Sequence, residues 1–174
     1  TKGENILNYV RGDRRYEGSE TSGYTTSSPF RERKSRQGDI INSVVWFTGT
    51  PSSNYALPGY LSFVSGSSRT AVIYVGGNDG MLHGFSAVDG SEKIAYVPRG
   101  VIPSLKSLAD PTFNTSHRYF VDGSPMTGDV YLSSGSNSFW RTLLVGTLGA
   151  GGKGYFVLDV TNPDSANLSG GTPG

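Results

Sequence analysis

Two stretches of this chain read as the same object. Residues 73–90, IYVGGNDGMLHGFSAVDG, and residues 143–163, LLVGTLGAGGKGYFVLDVTNP, each run from an apolar strand through a glycine-rich turn into a second strand. Val75-Gly76 falls on Val145-Gly146, and Phe85 to Asp89 falls loosely on Leu158 to Asn162. The offset is about 70 residues, and the second turn is roughly three residues longer. A repeated antiparallel unit cannot bury both its faces alone and must stack on neighbours, which is the signature of propeller blades. A blade takes ~40–45 residues, so these blades carry long insertions. The predicted strands fill one blade and about three quarters of another, whereas closure takes at least about four blades. The expected fold is all-β: a partial, modified β-propeller of antiparallel blades with long insertions and a short N-terminal helix, cut from a larger ring.

Local signals fill in the order of elements. Residues 4–11 place Ile6, Leu7, Tyr9 and Val10 at helical spacing. Gly12 follows, where a left-handed cap needs a residue without a Cβ. Residues 13–38 are polar and predict an extended loop, so the chain divides into a helix-and-loop segment, 1–38, and propeller blades, 39–174. DIINSVVWF (39–47) is β-branched and aromatic and predicts a strand. A loop with Pro51, Pro58 and Gly59 comes next. Strands are then expected at 71–76, 81–87 and 93–97, joined by Asn78-Asp79-Gly80 and Asp89-Gly90, the residues tight hairpins demand. After a loop at 98–117, RYFVDGSPMTGDVYL predicts one or two strands. Strands at 141–146 and 154–161 flank the second glycine-rich turn, and SANLSGGTPG ends the chain as turn or linker.

Composition narrows the function. Gly accounts for 25 of 174 residues, with ten Tyr and eight Phe to build a core. The formal charge of +1 excludes a strong nucleic-acid field over the whole domain. The first 38 residues carry a net +3 and the remainder −2. No cysteine is present, which removes disulfides and thiolate chemistry. No apolar run approaches the roughly 20 residues of a membrane span. A chain that does not begin with Met is expected to be a piece of something longer, with any targeting segment upstream.

Several motifs invite a chemical reading. GAGGKG (149–154) satisfies the dinucleotide pattern, but that pattern needs a helix next, and YFVLDV reads as strand. A phosphate loop fails too, because Gly154 follows Lys153 where a hydroxyl is required. Asp79 and His83 are close enough to ligate a metal or form an acid–base pair. Neither His83 nor His117 has a third partner in sequence to orient a nucleophile, so structural roles are expected. No run of alternating oxygen ligands forms a calcium loop. RERKSR (31–36) is basic but interrupted and lacks a stacking platform, so a solvated loop or a domain contact is expected over nucleic acid. Asn114-Thr115-Ser116 and Asn167-Leu168-Ser169 are formal glycosylation triplets, frequent by chance. No catalytic, metal or cofactor-binding residue is expected.

Taken in order, ILNYVRGDRR, FRERKSRQGDIINS, YVGGNDGMLHGFSAVDGSEKIAYVP, YFVDGSP and WRTLLVGTLGAGGKGYFVLDVTNP resemble one family over almost the whole chain. It is the C-terminal propeller domain of the PilY/PilC proteins, type IV pilus biogenesis factors and tip adhesins of Gram-negative bacteria. The resemblance implies a non-enzymatic protein that supports pilus assembly, balances retraction, and assists twitching motility and attachment. It implies a secreted, outer-membrane or pilus-tip location. Implied partners are pilin subunits or minor pilins, other parts of the same protein, and a host integrin, with no nucleic acid and no membrane span. The family's regulatory calcium loop is acidic, and that run does not occur in these residues, so calcium is expected outside them. Integrin binding through an Arg-Gly-Asp maps to Arg11, Gly12 and Asp13.

A local reading competes at that tripeptide. Arg11 in the last turn of the helix is favoured by the helix dipole, by ~0.3–1 kcal/mol, and Gly12 serves as the cap. Two of the three residues are thus explained without a receptor. Loops 13–38 and 48–70, which hold Tyr16, Tyr24, Tyr55 and Tyr60, are the expected partner surfaces. Two other propeller classes stay open. The repeat at 76–90 also resembles quinoprotein dehydrogenases, which need calcium and a quinone, though their closing Trp is replaced here by Ile94-Ala95-Tyr96. The third class is an outer-membrane assembly scaffold.

Overall fold

Thr1 starts the first helix. Its hydroxyl accepts from the Glu4 amide at 3.3 Å, and its ammonium reaches the Glu4 carboxylate at 2.6 Å, a reciprocal cap. The helix α1 spans Lys2–Val10 and buries Tyr9 and Val10. Gly12 caps it as the sequence predicts, but the helix stops at Val10, so Arg11 is the capping residue and not part of the last turn, which holds no basic residue. Gly12 sits at φ 100°, its amide bonds to the Tyr9 carbonyl at 2.9 Å, and the Asp13 amide bonds to the Asn8 carbonyl at 2.9 Å. These are the two bonds of a Schellman motif, so the chain direction at Arg11-Gly12-Asp13 is fixed by the helix end.

The structure, a computed structural model, describes residues 1–18 and 30–164. Short strands β1 (Glu17–Gly18) and β2 (Phe30–Arg31) pair in parallel. Two antiparallel sheets follow. The first runs β3 (Trp46–Thr48), β4 (Val72–Gly76), β5 (Leu82–Ser86), β6 (Glu92–Tyr96), each strand beside the next. The second runs β7 (Met126–Ser134), β8 (Asn137–Thr147), β9 (Tyr155–Asp159). One four-stranded and one three-stranded blade, not closed into a ring, are the partial propeller that the repeat predicts. Both hairpin turns of the first blade lie where the sequence places them, with Gly80 at φ 94° and Gly90 at φ 73°.

Three connections differ from expectation. Of the predicted strand 39–47 only Trp46 and Phe47 are strand, continued by Thr48. Upstream, backbone groups bond to side chains and to a turn. The Asn78 amide donates to the Asp39 carbonyl at 3.0 Å, and Asn42 gives its amide and Nδ2 to the Asp122 carboxylate at 3.2 and 2.7 Å. The Val44 amide donates to the Ser124 hydroxyl at 2.9 Å, and the Ser43 hydroxyl accepts from the Gly76 amide at 2.8 Å. The loop 48–70 contains a helix, α2 (Tyr60–Ser65). The loop 98–117 is mostly 3₁₀, Arg99–Ala109 and Pro111–Thr115, burying Val101, Leu108 and Phe113. Tyr24, Asn167-Leu168-Ser169 and the terminal SANLSGGTPG lie outside the described residues.

One core joins these parts. Tyr9 of α1, Tyr74 and Leu82 of the first sheet, Leu108, Phe113, Phe120 and Leu144 of the second sheet belong to a single buried cluster. Burial pushes the Tyr74 phenol up to about 12. The segment Phe120–Gly123 runs between the two glycine-rich turns. The Phe120 amide donates to Asn78 Oδ1 at 3.0 Å, and the Val121 amide donates to the Gly77 carbonyl at 3.4 Å. The Asp122 amide donates to the Leu148 carbonyl at 3.2 Å. A Cβ on Gly76 would lie 2.3 Å from the Val121 carbonyl oxygen, and one on Gly151 would lie 1.9 Å from that of Phe120. Gly76 and Gly151 are there because backbone passes against backbone, whereas Gly146, which the repeat aligns with Gly76, makes room for the Phe156 ring.

Candidate functional site

The end of α1 is held from below by a buried ion pair. Arg33 and Glu17 have side chains only 7% and 4% exposed, and Arg33 Nη2 and Nε meet Glu17 Oε1 at 2.6 and 2.8 Å. Arg33 also donates to the carbonyls of Tyr9 and Asp13, at 2.9 and 3.0 Å, and stacks over the Tyr9 ring at 3.7 Å. Arg14 adds a bond to Glu17 at 3.0 Å and one to the Arg33 carbonyl. Burial pushes the Glu17 carboxyl up, but its bonds to Arg33 and Arg14 outweigh burial and hold it below the usual range. The basic run 31–36 is therefore partly structural. Arg31 stacks on Phe113 and donates to the Leu108 carbonyl at 3.0 Å and to Asn114 Oδ1 at 3.1 Å, whereas Lys34 and Arg36 are exposed.

On this base sits the Arg-Gly-Asp turn. Arg11 is exposed and makes no side-chain ion pair among the described residues, and Gly12 is half-buried. The Asp13 carboxylate takes Arg15 Nε at 2.8 Å and Nη2 at 2.5 Å. Those bonds, with the Arg15 amide at 2.9 Å, hold its pKa below the usual value. The tripeptide thus presents a free guanidinium and an ionised carboxylate already shared with a neighbouring arginine.

Beside it opens a groove of about 760 Å³ between α1, the 3₁₀ segment and the β5–β6 hairpin. Leu7, Val10, Met81, Phe85, Tyr96 and Leu105 form its apolar walls, with Arg11 and Arg36 at one side. Its polar wall is a charged triplet. His83 Nε2 lies 3.0 and 3.1 Å from the Asp79 oxygens, and Nδ1 lies 2.6 Å from Glu92 Oε1. Burial alone would lower the His83 pKa, but the two carboxylates win and raise it. The sequence paired Asp79 with His83 and missed Glu92. The Asp89-Gly90 turn, which folds β6 back along β5, was the signal that could have placed it there. The triplet supplies charge and hydrogen bonds to the groove wall.

GAGGKG forms a 3₁₀ turn at Gly149–Gly151 and leads into strand β9, not into a helix. His117 pairs with Asp39 at 2.9 Å on the surface. Tyr60, expected on a partner surface, is fully buried, with its ring 4.6 Å from that of Trp140 and its hydroxyl 2.7 Å from Asp129. Tyr16 packs on Phe30, and Tyr55 stays exposed while stacking on Trp140. Among the described residues no three of His, Cys, Asp or Glu converge as a metal site requires, and no helix is long and apolar enough to cross a membrane.

Residues 37–170 match the family described as the PilY1 beta-propeller domain. The chain belongs to that family. It is 41% identical over 170 residues to a type IV pilus biogenesis factor PilY1 homolog of Xylella fastidiosa, with 93% of this chain and 13% of the relative covered. It is 38% identical over 182 residues to the type IV pilus biogenesis factor PilY1 of Pseudomonas aeruginosa PAO1, with 97% and 14% covered. The chain therefore spans about an eighth of the length of the curated relatives it matches. No solved structure matches it. The matched PilY1 stretch includes both sheets and the His83 triplet; Arg11-Gly12-Asp13 precede it.

Proposed function

We propose that this chain is part of a non-enzymatic type IV pilus biogenesis factor at the cell surface, outer membrane or pilus tip of a Gram-negative bacterium. It supports pilus assembly, the balance of extension and retraction, twitching motility and attachment. What carries the reading is the family match over 37–170, together with relatives named for pilus biogenesis. Its partners are pilins or minor pilins, further blades of the same protein, and a host integrin. The exposed apolar residues of the sheets, among them Phe47, Tyr155 and Val157, support contact with further blades. Calcium, where the whole protein uses it, binds outside these residues. Deleting the gene in its own bacterium removes surface pili and twitching, and the intact gene restores both. Normal piliation and twitching without it would end the proposal.

The integrin reading rests on Arg11, exposed and without an ion pair among the described residues, beside the Gly12 turn. In the full-length protein, Asp13→Glu is expected to abolish integrin capture with the melting temperature unchanged. A wild-type protein that captures no integrin would remove this part alone. The quinoprotein alternative rests on the repeat at 76–90. The polar groups that carry that likeness are engaged internally: Asn78 with Phe120 and Asp39, Asp79 with His83. Dye reduction by the protein supplied with quinone and calcium would reinstate it; an outer-membrane scaffold would leave pili intact.

A further inference from the structure

We propose that His83 is a proton-operated latch: doubly protonated, it ties the start of β6 to the Asp79 turn, and on losing a proton it releases Glu92 and opens the groove beside the Arg-Gly-Asp turn. The argument is one of donors. A neutral imidazole has one N–H, yet both ring nitrogens face carboxylate oxygens, at 3.0 and 2.6 Å. Only the imidazolium satisfies both.

The two carboxylates are unequal. Asp79 is 10% exposed and also accepts from the Gly38 amide at 2.7 Å and the Met81 amide at 3.1 Å, so it is fixed. Glu92 is 47% exposed, and among the described residues no other side-chain bond holds it. When one proton leaves, Nε2–H stays on Asp79, and the Nδ1 lone pair is left facing Glu92, which turns to water. Glu92 also sits at an irregularity of the hairpin, where the β5–β6 register shifts between Gly84 and Phe85 and the ladder is interrupted. The ring that it would uncover stacks on Phe85 at 5.8 Å, at the groove wall.

The surroundings set the direction. Asp79 from the turn and Glu92 from β6 favour the cation by direct contact. Arg11 just past the end of α1 and Arg36 from the segment before β3 line the same groove and oppose it, and the Tyr96 phenol lines it too. Lys93 instead pairs with Asp164 at 3.3 Å. The contact pairs win, so the His83 pKa is raised. A raised folded value means that the latch contributes its full stability below the ordinary histidine pKa near 6.5. The contribution is lost as pH rises through the folded value.

The test is a pH titration of the full chain by ¹⁵N imidazole NMR with hydrogen exchange. At pH 6 both His83 nitrogens should carry protons, with a midpoint above 6.5. Glu92→Gln should lower that midpoint. Intrinsic-rate-corrected exchange at the amides around the Phe85–Glu92 pair should rise several-fold across the wild-type transition. In Glu92→Gln it should not. Because Glu92 is half-exposed, this variant keeps the fold even if His83→Gln does not. A single neutral tautomer at pH 6, a midpoint that Glu92→Gln leaves in place, or exchange that ignores the transition would each overturn the latch.

Discussion

The two sheets share a repeat but not a setting. In β4 and β5 almost every residue is buried, on both faces. In β8 burial alternates, and β9 shows only half-buried or exposed positions. Yet the open face of the second sheet is not polar. Met126, Val145 and Val157 stand in one row across its three strands, and Tyr155 beside them is 75% exposed. A half-solvated antiparallel sheet ordinarily places polar residues outward. The same hairpin motif is therefore buried on both faces in one sheet and leaves an exposed apolar row in the other.

Substitutions can break that contrast or sharpen it. The largest effect belongs to the charge pair under α1: Arg33→Met strands a buried Glu17 and should cost about 3–5 kcal/mol. The half-exposed Arg141–Asp159 pair of the second sheet should lose no more than about 1 kcal/mol in Asp159→Asn. Both are read from urea unfolding of the full chain. Next, Leu82→Ala in the covered sheet should cost about 2–5 kcal/mol, whereas Val157→Ala on the open face should stay within about 0.5 kcal/mol. Equal costs would mean that the open face is covered within this chain. Gly76→Ala forces a methyl onto the Val121 carbonyl and should lower stability by about 1–3 kcal/mol. Gly128→Ala in β7, with nothing near its Cβ, should be neutral within about 0.5 kcal/mol. The smallest effect is the acid limb. The depressed Glu17 pKa contributes stability that is present above the ordinary carboxylate range and lost as pH falls through the folded value. Arg33→Met should flatten that limb in a plot of unfolding midpoint against pH.

The hairpins were legible because their information is local. Asn78-Asp79-Gly80 and Asp89-Gly90 carry their turn geometry in the residue types, and the strands beside them alternate or run apolar. Residues 39–45 misled for the opposite reason. Their β-branched run looks like strand, but their backbone partners are the side chains of Asp122 and Ser124 and the Asn78 turn, far away in sequence. The 3₁₀ segments at 99–115 were missed because proline and serine punctuate an apolar pattern too short to show a period. At the groove, the helix end and its glycine cap could be read directly. The buried Arg33–Glu17 pair could not, since nothing in RERKSR separates a solvated arginine from one folded under a helix.

Phe120–Gly123 closes both glycine-rich turns at once. The same short stretch supplies bonds to each turn, so displacing it strips bonds from both blades together. Amide exchange should therefore register the pair of blades as one cooperative unit, and any partner that gripped either blade would stiffen both.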